Sequence, residues 1–157
     1  MNSDLRLQVK WLDEARKAAL ESEEIAAEML RKVKKAENQF YSGPRQQPFV
    51  HMKLNSANDQ RDELLEKIER FRKSLDAVKL EDYLDFQEEG FENFQEWFFD
   101  GLVFDVPLFT LPHMGDQIAL QGGERIKATW HNLHIAADRL QELKEYLLQE
   151  GDDNETV

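Results

Sequence analysis

Four carboxylates, Glu88, Glu92, Glu96 and Asp100, recur at intervals of four, the spacing that stacks side chains on one face of an α-helix. Like charges so placed repel by roughly 0.2–0.5 kcal/mol per pair on an isolated helix, so the stripe asks for a neutralising neighbour, a cation or a basic partner. His131 and His134 lie three apart with Asp138 four further on. A helix would bring these three to one side, where they could converge on a metal ion or orient one another by hydrogen bonding. Trp130 and Leu133 occupy the apolar seam of the same stretch, which puts both histidines on its flanks, and the Glu-x-x-His pairs of a ferritin-like di-iron core are missing. Nucleophilic chemistry has little to draw on: the chain contains no cysteine, no Gly-x-Ser-x-Gly and no phosphate-cradling glycine loop, and Gly122-Gly123 stands alone.

Glu88-Glu89-Gly90-Phe91-Glu92 reads Glu-Glu-x-x-Glu. This resembles the first metal-binding motif of the all-helical MazG-type nucleotide pyrophosphohydrolases. The resemblance implies carboxylates on facing helices that hold magnesium against a triphosphate, with Glu88, Glu89, Glu92 and Glu96 as candidate ligands. The family's second motif, Glu-x-x-Asp on the next helix, has no counterpart here, since Glu96 and Asp100 are four apart. The favoured reading is therefore a non-catalytic interaction or adaptor module without a cofactor, and the metal-dependent hydrolase is its alternative.

The charge distribution sharpens that choice. From residue 80 to 124 the chain runs 45 residues with no Lys or Arg, and places there 11 Asp and Glu and 9 of its 16 aromatic side chains. Of 32 acids and 20 bases in all, 21 acids and the 20 bases lie outside this window, so the net charge of −12 is almost wholly local. Such a segment suits a basic protein or peptide and repels phosphate backbones and anionic lipid, so neither nucleic acid nor membrane is expected as a partner. Without cysteine, an apolar signal core or a long uncharged apolar run, the expectation is a soluble cytoplasmic protein.

The elements that must position these residues read as four helices. Leu5, Leu12, Ala19, Ala26, Val33 and Phe40 recur every seven residues, with Val9, Ala15, Met29, Leu30 and Ala36 beside them, which predicts a helix over 3–41. Ser42-Gly43-Pro44 ends it. Val50, Leu54, Ala57, Arg61, Leu64, Ile68, Phe71, Leu75 and Val78 alternate spacings of four and three, predicting a second helix over 48–78 with Arg61 as its one polar break and a possible restart near Ser56. Leu80, Tyr83, Leu84, Phe91, Phe94, Trp97, Phe98 and Leu102 suggest a third over 80–104. After the charge-free, proline-containing run 106–114, a fourth is expected over 116–149, broken or kinked at Gly122-Gly123 and stopped by Gly151, with 152–157 a disordered acidic tail. The fold class is all-α: an antiparallel up-down-up-down four-helix bundle with long heptad-patterned, coiled-coil-like helices, forming one domain over 1–151.

Two further expectations follow. A homodimer is expected, because the Trp11-to-Leu30 seam outruns the intrachain surface available to cover it. A partner would meet the third helix and the loop after it, with Glu88, Glu92, Glu96 and Asp100 supplying charge and Phe99, Phe104, Leu108 and Phe109 supplying buried area. The competing reading pairs those acids internally with Arg31 to Lys35 and with Lys67, Arg70, Arg72 and Lys73.

Overall fold

The computed structural model describes the backbone of residues 3–41, 47–109 and 118–155. Among these the chain is all-helical apart from turns and extended segments, in the order α1 (Ser3–Tyr41), α2 (Gln47–Asp59), α3 (Arg61–Asp76), α4 (Phe94–Phe99) and α5 (Ile118–Glu155). The cap expected at Ser42-Gly43-Pro44 and the loop residues 110–117 lie outside the described residues.

α1 is the spine. Its seam positions Leu5, Leu12, Ala15, Ala19, Ala26, Met29, Val33 and Ala36 are buried, while Val9 and Phe40 are half-buried at its edges. Lys67 bonds Glu21 at 2.8 Å and Gln60 bonds Glu28 at 2.6 Å, so α3 runs antiparallel to α1. Lys144 meets Asp13 at 2.9 Å and His134 meets Glu23 at 3.0 Å, so α5 is antiparallel to α1 as well. α3 and α5 therefore point the same way, and the chain between them must return along the molecule. The break between α2 and α3 falls at Gln60 rather than near Ser56. There the side chain accepts from Lys32 and donates to Glu28, which ties the joint to α1.

The returning segment is where sequence and structure differ most. Instead of one helix over 80–104, residues 77–93 form successive turns and only Phe94–Phe99 is helical. Local chemistry explains this. Gly90 adopts φ 92° and Gly101 φ 76°, the left-handed region that interrupts a right-handed helix and that glycine enters without a Cβ clash. Between them Asn93, in extended conformation, accepts from the Glu96 N–H at 2.9 Å and starts α4, while the Glu96 carboxylate accepts from the Glu92 N–H at 3.2 Å. Phe86, outside the predicted stripe, is buried in place of Phe91.

The remaining core follows expectation: Leu64, Ile68, Phe71, Leu75, Phe94, Phe98, Ile126, Leu133, Ala137 and Leu140 are buried, whereas Phe91 and Trp130 are half-buried. α5 is continuous through both Gly122-Gly123 and Gly151 to Glu155, so neither glycine site breaks it and the tail expected at 152–157 is helical as far as Glu155. A helix-interior glycine costs only about 1 kcal/mol relative to alanine, which a long packed helix tolerates. Close approach gives the pair its purpose. A Cβ on Gly122 would sit 2.9 Å from the Phe109 ring, and one on Gly123 would sit 2.7 Å from the Glu37 carboxylate. No helix among the described residues is long and apolar enough to cross a membrane.

Candidate functional site

Turns 81–92 form an open cavity of about 530 Å³ lined by Glu81, Asp82, Asp85 and Glu92 together with Tyr83, Leu84, Phe86 and Gln87. The wall is built by local bonds. The Asp85 carboxylate accepts from the Glu88 N–H at 3.2 Å, Glu81 accepts from the Phe94 N–H at 3.4 Å, and the Tyr83 hydroxyl donates to Asp4 at 2.7 Å. The Lys79 N–H donates to the buried Gln8 side chain at 2.6 Å, anchoring the turns to the N-terminal end of α1. Beside this cavity, Phe91, Trp97, Asp100 and Arg139 line a second hollow of about 220 Å³.

The four acids of the expected stripe do not share a helix face. Glu88 and Glu92 lie in turns, Glu96 in the first turn of α4, and Asp100 at its C-terminal end. None of the four makes an ion pair among the described residues. Three of the bases expected to neutralise them are engaged elsewhere. Lys67 pairs with Glu21, Arg70 with Glu66, and the Arg72 guanidinium lies 5.9 Å from the centre of the Phe104 ring. Arg31 to Lys35 lie at the opposite end of α1 from the turns that hold the acids, because Gln8 of its first turns is what binds Lys79. The neighbouring Lys67 holds the Glu21 carboxyl below its usual range by hydrogen bond and charge, partly offset by burial.

The aromatic residues expected to face a partner turn inward. Phe71 is fully buried and meets Phe98, Phe99 and Phe104 edge-on, with ring centres 6.0, 5.9 and 5.8 Å away. Phe99 and Phe104 are half-buried in this cluster and Phe109 is 3 % exposed, whereas Leu108 is 60 % exposed. Two adjacent phenylalanines both reach the core because α4 ends at Phe99 and the chain leaves the helix through Gly101.

Beyond Gly101 the chain runs extended in the trough between α3 and α5. Its backbone is bonded by side chains of other elements. Asn132 donates to Val103 O at 2.8 Å, and the buried Thr129 hydroxyl both accepts from Asp105 N–H and donates to Asp105 O, each at 2.7 Å. Arg61 Nε donates to Val106 O at 3.1 Å, which accounts for the polar break in the α3 seam. Asn58 closes the series, donating to Phe109 O at 2.6 Å and accepting from its N–H at 2.7 Å. Arg125 grips the Asp105 carboxylate with Nε and, at 2.9 Å, with Nη2, and this bond raises its pKa. Sequence reasoning passed over Asn58, Thr129 and Asn132, whose only signal was a polar type at helix positions adjoining apolar ones.

The histidine set is partly assembled. His134 Nδ1 is 3.0 Å from Glu23 and its Nε2 is 3.4 Å from Asp138, while His131 is exposed and outside that chain of contacts. No group of three His, Asp or Glu side chains among the described residues is placed to hold a metal ion, and this includes Glu88, Glu89, Glu92 and Glu96. The fold and site together define an all-helical protein carrying an acidic, aromatic-floored cavity and an extended segment latched by side chains. No family model, curated protein or solved structure matches the chain.

Proposed function

We propose that this protein is a non-catalytic interaction module whose acidic cavity over residues 81–92 receives a basic partner, a protein or peptide with an amphipathic, Lys- or Arg-bearing segment. The observation that carries this reading is the concentration there of carboxylates that make no ion pair among the described residues, beside the half-buried Tyr83 and Leu84, with Trp97 in the neighbouring hollow. Unpaired acids steer a basic ligand, and the exposed edges of those rings and of Leu84 supply contact area. The inward turn of Phe99, Phe104 and Phe109 moves the proposed apolar contact from the loop after α4 to the cavity itself, and leaves Leu108 as the one outward apolar residue of the original set. Of the expected charge set Glu92 lines the cavity, joined there by Glu81, Asp82 and Asp85, while Glu88, Glu96 and Asp100 stand outside its lining.

The scaffold for this function is read as an up-down-up-down bundle of four staves, the third made of α4 and the extended segment. A homodimer belongs to the same proposal. The α1 seam is covered within one chain, so the dimer would draw on exposed Leu7, Leu20, Phe49 and Met52. The absence of cysteine suits a cytoplasmic setting.

Titration of a fluorescent basic amphipathic peptide into the protein at low ionic strength tests the partner. Saturable binding that weakens with salt, and that falls about tenfold in the triple variant Asp82→Asn, Glu88→Gln, Glu92→Gln, is expected. Equal binding by the triple variant sinks the reading. Light scattering across a concentration series tests the dimer.

A further inference from the structure

The extended segment after Gly101 is held in an unusual way for a chain's own connector. Six hydrogen bonds between 103 and 109 join its backbone to Asn58, Arg61, Thr129 and Asn132, side chains of other elements. Recognition of main-chain atoms is indifferent to sequence, which is how grooves accept extended peptides. Selectivity comes from five inward positions: Phe104 packs edge-on against Phe71 with Arg72 over its ring, Pro107 is buried, and the other three are Asp105, Val106 and Phe109. The Asp105 carboxylate meets Arg125, Val106 is 7 % exposed, and Phe109 is 3 % exposed with its ring laid on the bare backbone of Gly122. Val103 and Leu108, at 66 % and 60 % exposed, face outward and are not read. The segment starts at Gly101, whose φ of 76° is a conformation that glycine adopts without a Cβ clash.

We propose that the trough between α3 and α5 is a peptide-binding groove, occupied in cis by residues 103–109, and that a partner's extended segment of the same pattern displaces them. The pattern is an aromatic, an acidic and an aliphatic residue in succession, then proline, with a second aromatic two positions after the proline. Val103 and Leu108 are in water whether the segment is docked or released, so these two positions are unrestricted in a partner. This groove is separate from the acidic cavity, and its ligand is close to neutral rather than basic, so either proposal can fail alone.

The probe is a fluorescent peptide copying residues 102–109, compared with a scrambled copy of the same composition. A resident segment tethered at both ends competes at an effective concentration in the millimolar range, so the wild-type chain should bind the probe weakly. The double variant Val106→Ser, Phe109→Ser loosens the resident segment and is expected to bind at least about tenfold more tightly than wild type, an advantage that Asn58→Ala abolishes. A folded double variant that binds the probe no better than the scrambled peptide overturns the proposal. Should the double variant not fold, hydrogen exchange on the wild-type chain decides. The amides of Asp105 and Phe109 should exchange faster under excess probe, and unchanged rates overturn the proposal equally.

Discussion

The frame of α1, α3 and α5 and the returning stretch 77–109 both bury large apolar side chains, but they reach that state by different means. In the frame, periodicity does the placing. Leu64, Ile68, Phe71 and Leu75 fall on one face because a helix has 3.6 residues per turn, and the interior backbone groups are bonded within the helix itself. In the returning stretch backbone pairs with backbone only in turns and in the short α4, and side chains of Gln8, Asn58, Thr129, Asn132 and Gln95 take up further groups, the last donating to Leu75 O at 2.6 Å and Val78 O at 3.1 Å. The frame is specified by a repeating pattern that tolerates single losses. The stretch is specified by individual residues, none of which has a substitute.

Four experiments bear on that contrast. Phe71 belongs to the frame but supports the rings of Phe98, Phe99 and Phe104, so Phe71→Ala should cost about 3–5 kcal/mol in chemical denaturation and loosen both regions. A loss below about 1 kcal/mol would mean the two regions are not coupled through this ring. Asn58→Ala leaves the N–H and C=O of Phe109 without their partner and is expected to cost about 1–3 kcal/mol, with faster amide exchange confined to 103–109. The glycine pair separates the regions at adjacent positions. Gly122→Ala meets the Phe109 ring and should destabilise by about 1–3 kcal/mol despite a better helix former. Gly123→Ala meets only the flexible end of Glu37 and should be neutral or gain up to about 1 kcal/mol. Equal effects would show that the ring does not rest on Gly122.

The smallest effect concerns Glu37, whose pKa is raised by burial and by the nearby Glu124 charge, against an opposing contribution from Lys34. A carboxyl with a raised folded-state pKa contributes stability that is fully present below its unfolded value and lost as pH rises through its folded value. Thermal unfolding of Glu37→Gln should therefore show a gain over wild type at neutral pH that shrinks toward zero in acid. A gain of the same size at both pH values would remove the titration from the explanation.

Which parts were legible in sequence follows from the same contrast. α1 covers the stretch that the seven-residue spacing predicts as far as the described residues go, and nearly all of the expected core is buried, because a spacing repeated so often is a redundant signal. The expected helix over 80–104 was an overreading: Leu84 to Phe91 leaves a gap of seven in its stripe, Gly90 and Gly101 bracket the part that does become helical, and Asn93 with Glu96 is a helix start that was counted as stripe. The acids were recognised as unusual, but their face was lost with the helix that was to carry it. Gly122-Gly123 read as a break because spacing cannot reveal a ring approaching from residue 109. Asn58 and Thr129 were illegible for a related reason, since a side chain that serves distant backbone looks like any polar residue until the chain has folded.

The central place of α1 also sets the order of assembly. It is synthesised well before α5, the helix that covers one of its long flanks, and the pairing of Lys144 with Asp13 joins residues 131 apart. At about 5–20 residues per second the ribosome takes several seconds or more to supply that partner. Through this interval the seam from Leu12 to Val33 is only partly covered, by α2 and α3 as they emerge. Contacts this distant in sequence also slow folding once synthesis is done. A spine laid down before its last cover makes the newborn chain, rather than the finished one, the form most exposed to aggregation.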